Sequence, residues 1–157
     1  MALACEAAMS ATNSVILGFL PGTKELIEIH ASKLVYASFD RENPENIQFL
    51  VTGNDQLVIG CLITKERLGE ELFSYADGEM DKEELEDWVD RKAIYTFISA
   101  LEIWEQYQNK GFGTIAVEQI KESSRFPIAL YAVAESVEFW DRHIESMSGY
   151  WYSEKKA

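Results

Sequence analysis

The sequence predicts an α/β domain with a mixed sheet and helices on both of its faces. Three observations predict it. Ala93 to Ile103 is apolar on both alternating sets, with Tyr95, Phe97, Ser99, Leu101 and Ile103 set against Ile94, Thr96, Ile98 and Ala100. A strand of that pattern needs cover on both faces. Gln108-Asn109-Lys110-Gly111-Phe112-Gly113 then reads as a tight glycine turn into a helix beginning near Thr114. Ile128 to Ala134 (IALYAVA) reads as a second buried strand.

Taken in order, residues 1–14 (MALACEAAMSATNS) are rich in small side chains, lack a basic leader and are expected to be disordered, with Met9 an alternative start. Val15 to Leu20 is too short to span a bilayer, so no membrane anchoring is expected. Lys24 to Phe39 alternates poorly and reads as either strand or helix, until Asn43-Pro44-Glu45-Asn46 breaks it. Ile47 to Thr52 and Leu57 to Thr64 flank Gly53-Asn54-Asp55-Gln56, whose turn-forming residues predict a β-hairpin. Asp81 with Glu84 resembles a capping box, and Leu85, Trp88 and Val89 share one face, which predicts an acidic helix over Asp81 to Arg91. The helix after the glycine turn offers Ile115, Val117 and Ile120 and stops at Ser123 to Pro127. Glu135 to Met147 reads as a last helix with Phe139, Trp140, His143, Ile144 and Met147 on its apolar face, ended by Gly149. Tyr150-Trp151-Tyr152 closes as a final strand, which if exposed would suit a homodimer. No internal repeat is present.

At 157 residues the chain is most simply one domain, and 47% hydrophobic with 12% aromatic content excludes wholesale disorder. Cys5 and Cys61 match no metal-ligand spacing; Cys61 sits in a strand-like run as a small buried hydrophobe, and a reducing cytoplasm fits best. A formal net charge of -13 argues against nucleic-acid binding, because phosphate backbones are repelled by that field, and a cationic partner is more natural. Glu66 to Lys92 holds eleven acidic and four basic residues, a net -7. Charge runs ordinarily only face water; the sharper reading is a wall that concentrates a cationic amine.

The glycine turn is the strongest chemical signal. Backbone N–H groups at the positive end of a helix, with glycines that let an anion approach the main chain, make a phosphate cradle. The order Leu101, Ile103, Glu105, Tyr107, Gln108, Gly111, Gly113 resembles the acetyl-coenzyme A signature of the GNAT superfamily of N-acetyltransferases. The resemblance is good over Ile94 to Tyr152, where IALYAVA stands for the fifth strand, and plausible over Asn46 to Thr64, the second and third. It implies one domain over residues 1–157, a mostly antiparallel sheet and a splayed parallel strand pair. It also implies that acetyl-CoA is the co-substrate and that no metal takes part. The backbone of Leu101 and Ile103 would bind the pantetheine arm. Gln108, Asn109, Lys110, Gly111, Phe112, Gly113 and Thr114 would wrap the pyrophosphate.

Direct acetyl transfer needs a deprotonated amine and an acid for the departing thiolate. The family usually supplies that acid as Tyr in a Phe-Tyr pair; here the pair is Phe139-Trp140, and an indole N–H does not readily give up its proton. Val133 stands where the family often has Asn. The substitute acids are Tyr131, Tyr150 and Tyr107, and the candidate bases are Glu102 and Glu135. His143 falls on the apolar face of its helix and His30 in the unassigned first third; two histidines and two isolated cysteines make no Ser-His-Asp triad and no metal cluster. The sequence thus points to an acyl-CoA-dependent N-acyltransferase acting on a cationic amine. The alternative is a non-catalytic acidic module that presents Glu66 to Asp90 to a basic protein, with or without bound CoA. DNA mimicry is a third reading, resting on charge alone.

Overall fold

The computed structural model describes residues 17–34, 43–52, 57–76, 82–148 and 150–154. The expectations for residues 1–14, the turn Gly53 to Gln56, the cap at Asp81 and the stop at Gly149 lie outside the described residues. Seven strands form one sheet in the order β1-β2-β3-β4-β5-β7-β6. The contacts divide into two compact units, residues 1–61 with 102–116 and residues 62–101 with 117–157, and the long strands β3 (Val58–Leu68) and β4 (Ile94–Ile103) run through both.

In the first unit, β1 (Leu17–Pro21) pairs antiparallel with β2 (Gln48–Thr52), from Leu17↔Thr52 to Pro21↔Gln48. Between them α1 (Lys24–His30) resolves the choice between strand and helix. Thr23 Oγ1 accepts the Leu26 N–H at 3.1 Å and Glu25 sits in the first turn, so cap and dipole both favour a helix. Ile27 faces inward, and a 3-10 turn follows over Ala31–Lys33. Leu17, Leu34, Ile47, Phe49, Leu50 and Ile59 form the buried core, with Cys61 the small buried hydrophobe expected of it. β3 approaches the end of β4 so closely at Gly60 that a Cβ there would run into the Glu102 carbonyl. The Trp104 N–H donates to the Ile59 carbonyl at 2.8 Å alongside.

In the second unit β3 leads into α2 (Gly69–Tyr75), a helix not expected from the sequence. Its start is a glycine, a poor helix former by propensity, yet Glu71 Oε1 reaches back to accept the Leu68 N–H at 2.9 Å. The Gly69 N–H donates to the Ala93 carbonyl at 2.8 Å, and a Cβ on Gly69 would meet the Asp90 carbonyl. Two β3–β4 contacts, Ile59 with Trp104 and Gly69 with Ala93, run in opposite chain directions and make the pair antiparallel. The acidic helix is α3 (Lys82–Trp88), ending sooner than Arg91, with Leu85 and Val89 buried as the spacing required. Leu72, Phe73, Ala76, Leu85 and Val89 cover one sheet face by packing on Tyr95, Ala129 and Trp151. On the other, Ser124, the residue after α4 (Phe112–Ser123), brings its Oγ to 2.6 Å from Thr96 Oγ1. β4 is therefore covered on both sides, though unevenly: Tyr95, Ile98 and Ala100 are buried while Ser99 is exposed.

β5 (Ile128–Tyr131) runs parallel to β4 in the register Thr96↔Ile128, Phe97↔Ala129 and Ile98↔Leu130. Among the described residues that ladder ends at Ile98, near the end of β5 at Tyr131, while β4 continues to Ile103 beyond it. The last helix is a correction. Only Val137–Asp141 is α-helical (α5), after a 3-10 turn at Ala134–Ser136, and Ser146–Ser148 form β6 instead. Pairing with β7 (Trp151–Ser153), Ser146↔Tyr152 and Ser148↔Trp151, gives those backbone groups sheet partners in place of helical ones. β7 also pairs with β5, Tyr131↔Trp151 among its contacts, so the final strand is interior and the edge is β6. The exposed final strand that suggested a dimer is thereby replaced by a buried one. No described helix is long and apolar enough to cross a membrane.

Candidate active site

In the first unit the chain leaves β4 at Ile103, passes a 3-10 turn at Glu105–Tyr107, and enters α4 at Phe112. Two residues of the link have positive φ, Asn109 at 62° and Gly111 at 85°. Asn and Gly are the residue types that adopt this left-handed conformation most easily. Nothing lies within 4 Å of the place a Gly111 Cβ would occupy, so conformation and not crowding demands the glycine, and the space above the turn is open. The Ile115 N–H bonds to the Gly111 carbonyl at 3.1 Å, making Gly111 the cap. Phe112, Gly113 and Thr114 are then first-turn residues, whose N–H groups precede the helical ladder that the Ile115–Gly111 bond begins. Gln108, Asn109, Lys110 and Gly111 are exposed. An exposed turn with one lysine, opening a helix of 12 residues at its positive end, suits a phosphate. Leu101 and Ile103 are half-buried, and the Ile103 carbonyl accepts the Gln108 side-chain amide at 2.9 Å. The strand end that was to meet a pantetheine arm is thus tied to the first residue of the turn.

Glu102 is half-buried and accepts a long contact, 3.8 Å, from Cys61 Sγ. Burial, and then the charge of Glu102, push the Cys61 thiol far above its ordinary range, so it remains a thiol. A cleft of about 730 Å³ lies here, lined among others by Ser32, Lys33, Glu102, Trp104, Gln106 and Gln108. His30 packs between Phe49 and Trp104 with ring centroids at 5.5 and 6.0 Å. Burial and then Lys33 hold it below the usual imidazole range. The buried Trp104 indole N–H has no acceptor among the described residues. Tyr107 is half-buried in the 3-10 turn.

In the second unit Tyr131 is exposed at the end of β5, edge-on to Trp151 at 4.8 Å and to Tyr150 at 6.0 Å. Glu135 is exposed in the turn before α5. Trp140 is buried and edge-on to Phe139 at 5.0 Å. His143 packs on Phe139 at 4.6 Å, and burial followed by Lys121 lowers its pKa. Lys121 Nζ donates to the His143 carbonyl at 2.6 Å. The first unit therefore gathers Glu102, Ile103 and Gln108 to Thr114, while Leu101, Tyr131 and Tyr150 belong to the second. Lys33 and Trp104 were missed in the sequence because Ser32-Lys33 has no motif and Trp104 reads as a strand end. Tyr75 and Phe97, 6.2 Å apart, were missed because α2 itself was. Among the described residues no group of three His, Cys, Asp or Glu could hold a metal ion.

Sequence comparison matches no described family and no curated protein. Structure comparison does find similar folds. The N-acetyltransferase YlbP of Bacillus subtilis, solved with coenzyme A, superposes with a TM-score of 0.58 at 16% identity, over 90% of this chain and 97% of that one. The chain has the GNAT fold. NAA60 of Arabidopsis thaliana, solved with acetyl-CoA, gives a TM-score of 0.57 at 16% identity over 89% and 95% of the two chains. A putative GNAT acetyltransferase of Bacteroides thetaiotaomicron gives 0.54 at 14% identity over 89% and 88%. The sheet is mostly antiparallel with the one described parallel pair β4–β5, as the GNAT fold implied, and the turn with Gly111 follows β4 where the GNAT signature was read.

Proposed function

We propose that the chain is an acyl-CoA-dependent N-acyltransferase that moves an acetyl group from acetyl-CoA directly to a cationic amine. One observation carries it: β4 runs on past its ladder with β5 into an exposed turn that holds Gly111 at positive φ and opens α4, with open space where a Gly111 Cβ would stand. That GNAT proteins were solved with CoA or acetyl-CoA bound supports the same reading. Gln108 to Thr114 hold the pyrophosphate through backbone N–H groups and Lys110. Leu101 and Ile103 offer main-chain partners to the pantetheine arm, which at Ile103 requires the Gln108 amide to move. Acetyl-CoA supplies an activated thioester; the amine nitrogen forms the new C–N bond, the C–S bond breaks, and the thiolate takes up a proton. Glu102 removes the ammonium proton, directly or through water. Tyr131 or Tyr150 supplies the proton that Trp140 cannot. The chain works as one domain in a reducing cytoplasm, where a buried Cys61 stays free.

The test is thiol release from acetyl-CoA across a panel of amines. Glu102→Gln, and at least one of Tyr131→Phe and Tyr150→Phe, should lower turnover by about a hundredfold, the general acid–base scale. Full rate in all three variants would remove these residues from the chemistry. One feature favours the second reading, an acidic binding module: Trp140 in place of the usual tyrosine. No transfer to any amine, with a basic protein bound tightly through Glu66 to Asp90, would select it.

A further inference from the structure

One face of the second unit is lined with aromatic rings. Phe97 lies beside Ala129 in the parallel register, and Tyr131 follows two residues later on the same side of β5, opposite Trp151 on β7. Tyr75, from the end of α2, stands 6.2 Å from Phe97; Tyr150 stands 6.0 Å from Tyr131. Between the rings are two small residues, the buried Ala129 and the exposed Ser99, the latter one position past the last β4–β5 pair. Tyr75, Tyr131 and Tyr150 leave 45%, 43% and 43% of their surface in water, a large aromatic area for an exposed face. Trp151 beside them is buried, and its indole N–H has no acceptor among the described residues.

This face already carries a cation. The Arg67 guanidinium sits 5.9 Å from the Tyr75 ring centroid, a cation–π distance. The elements that pack on the same sheet face, α2 and α3, come from the stretch with net charge -7, and that net remains after Arg67 pairs with Glu71 and Arg91 with Glu70 and Glu86. A negative field draws cations, and aromatic faces hold them best when the cation also brings apolar surface. Polyamines bring only thin methylene links between several ammonium groups and amino sugars bring hydroxyls, and both want more hydrogen-bond acceptors than a few tyrosine hydroxyls offer.

We infer that this face binds an apolar cation, an ammonium borne on an aryl or branched alkyl body, and that this is the class of amine the chain acts on. Only the second clause rests on the acyltransferase reading. The probe is benzyltrimethylammonium, which cannot be acylated, so its binding is measured by titration calorimetry apart from any transfer. It should bind the full chain more tightly than benzyl alcohol, its neutral counterpart, and than spermidine. Tyr131→Leu and Tyr75→Leu should each weaken it by about threefold to thirtyfold, the cation–π range, with the far-ultraviolet circular dichroism unchanged. Should Tyr131→Leu not fold, Tyr150→Leu at the exposed rim should show the same loss. Binding of benzyltrimethylammonium no tighter than benzyl alcohol, or unaltered in the folded variants, overturns the inference. Binding of the probe by a chain that does not bind CoA upholds the cation site and removes the acyltransferase reading; CoA binding without probe binding does the reverse.

Discussion

Gly111 holds the backbone at φ 85°, where an L side chain is strained even with empty space around it. Gly111→Ala should therefore destabilise the fold by about 1–2 kcal/mol, and Gly111→Asn by less, because Asn visits the left-handed region more readily. Urea unfolding of the three proteins checks this, and an alanine variant as stable as wild type would contradict the turn geometry. The neighbouring residue shows how far such local chemistry could be read. Asn109 and Gly111 announced a turn through their residue types, but nothing in the sequence said that the Gln108 amide would close on the Ile103 carbonyl at 2.9 Å, since that contact depends on where the strand ends. Glu102 was legible as a carboxylate near a strand end. Its partner Cys61 was not, because the β3–β4 register that joins them is set by the close approach at Gly60.

At the scale of elements, β7 is fastened to α5 by the Tyr152 hydroxyl, which donates to Asp141 Oδ1 at 2.7 Å. Burial first, and then Asp141, push the Tyr152 pKa up to about 12 from an ordinary 10. The unfolded chain loses this proton first, so the stabilisation is complete below pH 10 and is lost as pH rises from 10 to about 12. Tyr152→Phe should cost about 1 kcal/mol at neutral pH and flatten the alkaline limb of a stability–pH curve; an unchanged limb would show that another group sets it. Elements with a strong pattern were legible: β4, apolar on both sets, α4 behind its glycine turn, and α3 with Leu85 and Val89 at helical spacing. α2 was hidden because Gly69 opens it, a residue chosen for its close approach to Asp90 and not for helix propensity. The helix expected through Met147 was cut at Asp141 because β7 offers Ser146 and Ser148 a ladder, a long-range effect that local periodicity does not contain.

For the molecule as a whole, the net charge of -13 would, in the proposed function, act on the two reactants in opposite senses. A cationic amine is drawn in by this field and polyanionic CoA is opposed by it, and both effects fade as the Debye length falls to about 8 Å at physiological salt. The apparent KM for the amine should rise between low and physiological ionic strength while that for acetyl-CoA falls or changes less. Exchanging Glu83, Glu84, Glu86 and Asp87 for their amides should raise the amine KM at low salt. Steady-state kinetics decides this, and an amine KM indifferent to the quadruple change would leave the acidic stretch as a solvated surface. The GNAT fold was legible at this scale because its signature joins consecutive elements, strand, turn and helix, so one stretch of sequence carried it. The aromatic face was not, since Tyr75, Phe97, Tyr131 and Tyr150 come from four separate places and only the sheet register assembles them.

The proposed function depends on a phosphate-bearing ligand seated on the Gly111 turn, and CoA binding by thermal unfolding with Gly111→Asp as the control measures that most directly. At a hundred times its dissociation constant, CoA should stabilise the wild type by about 2.7 kcal/mol. The variant, with a carboxylate where the pyrophosphate must lie, should gain little. A folded wild type that shows no shift with CoA, acetyl-CoA or propionyl-CoA would contradict it.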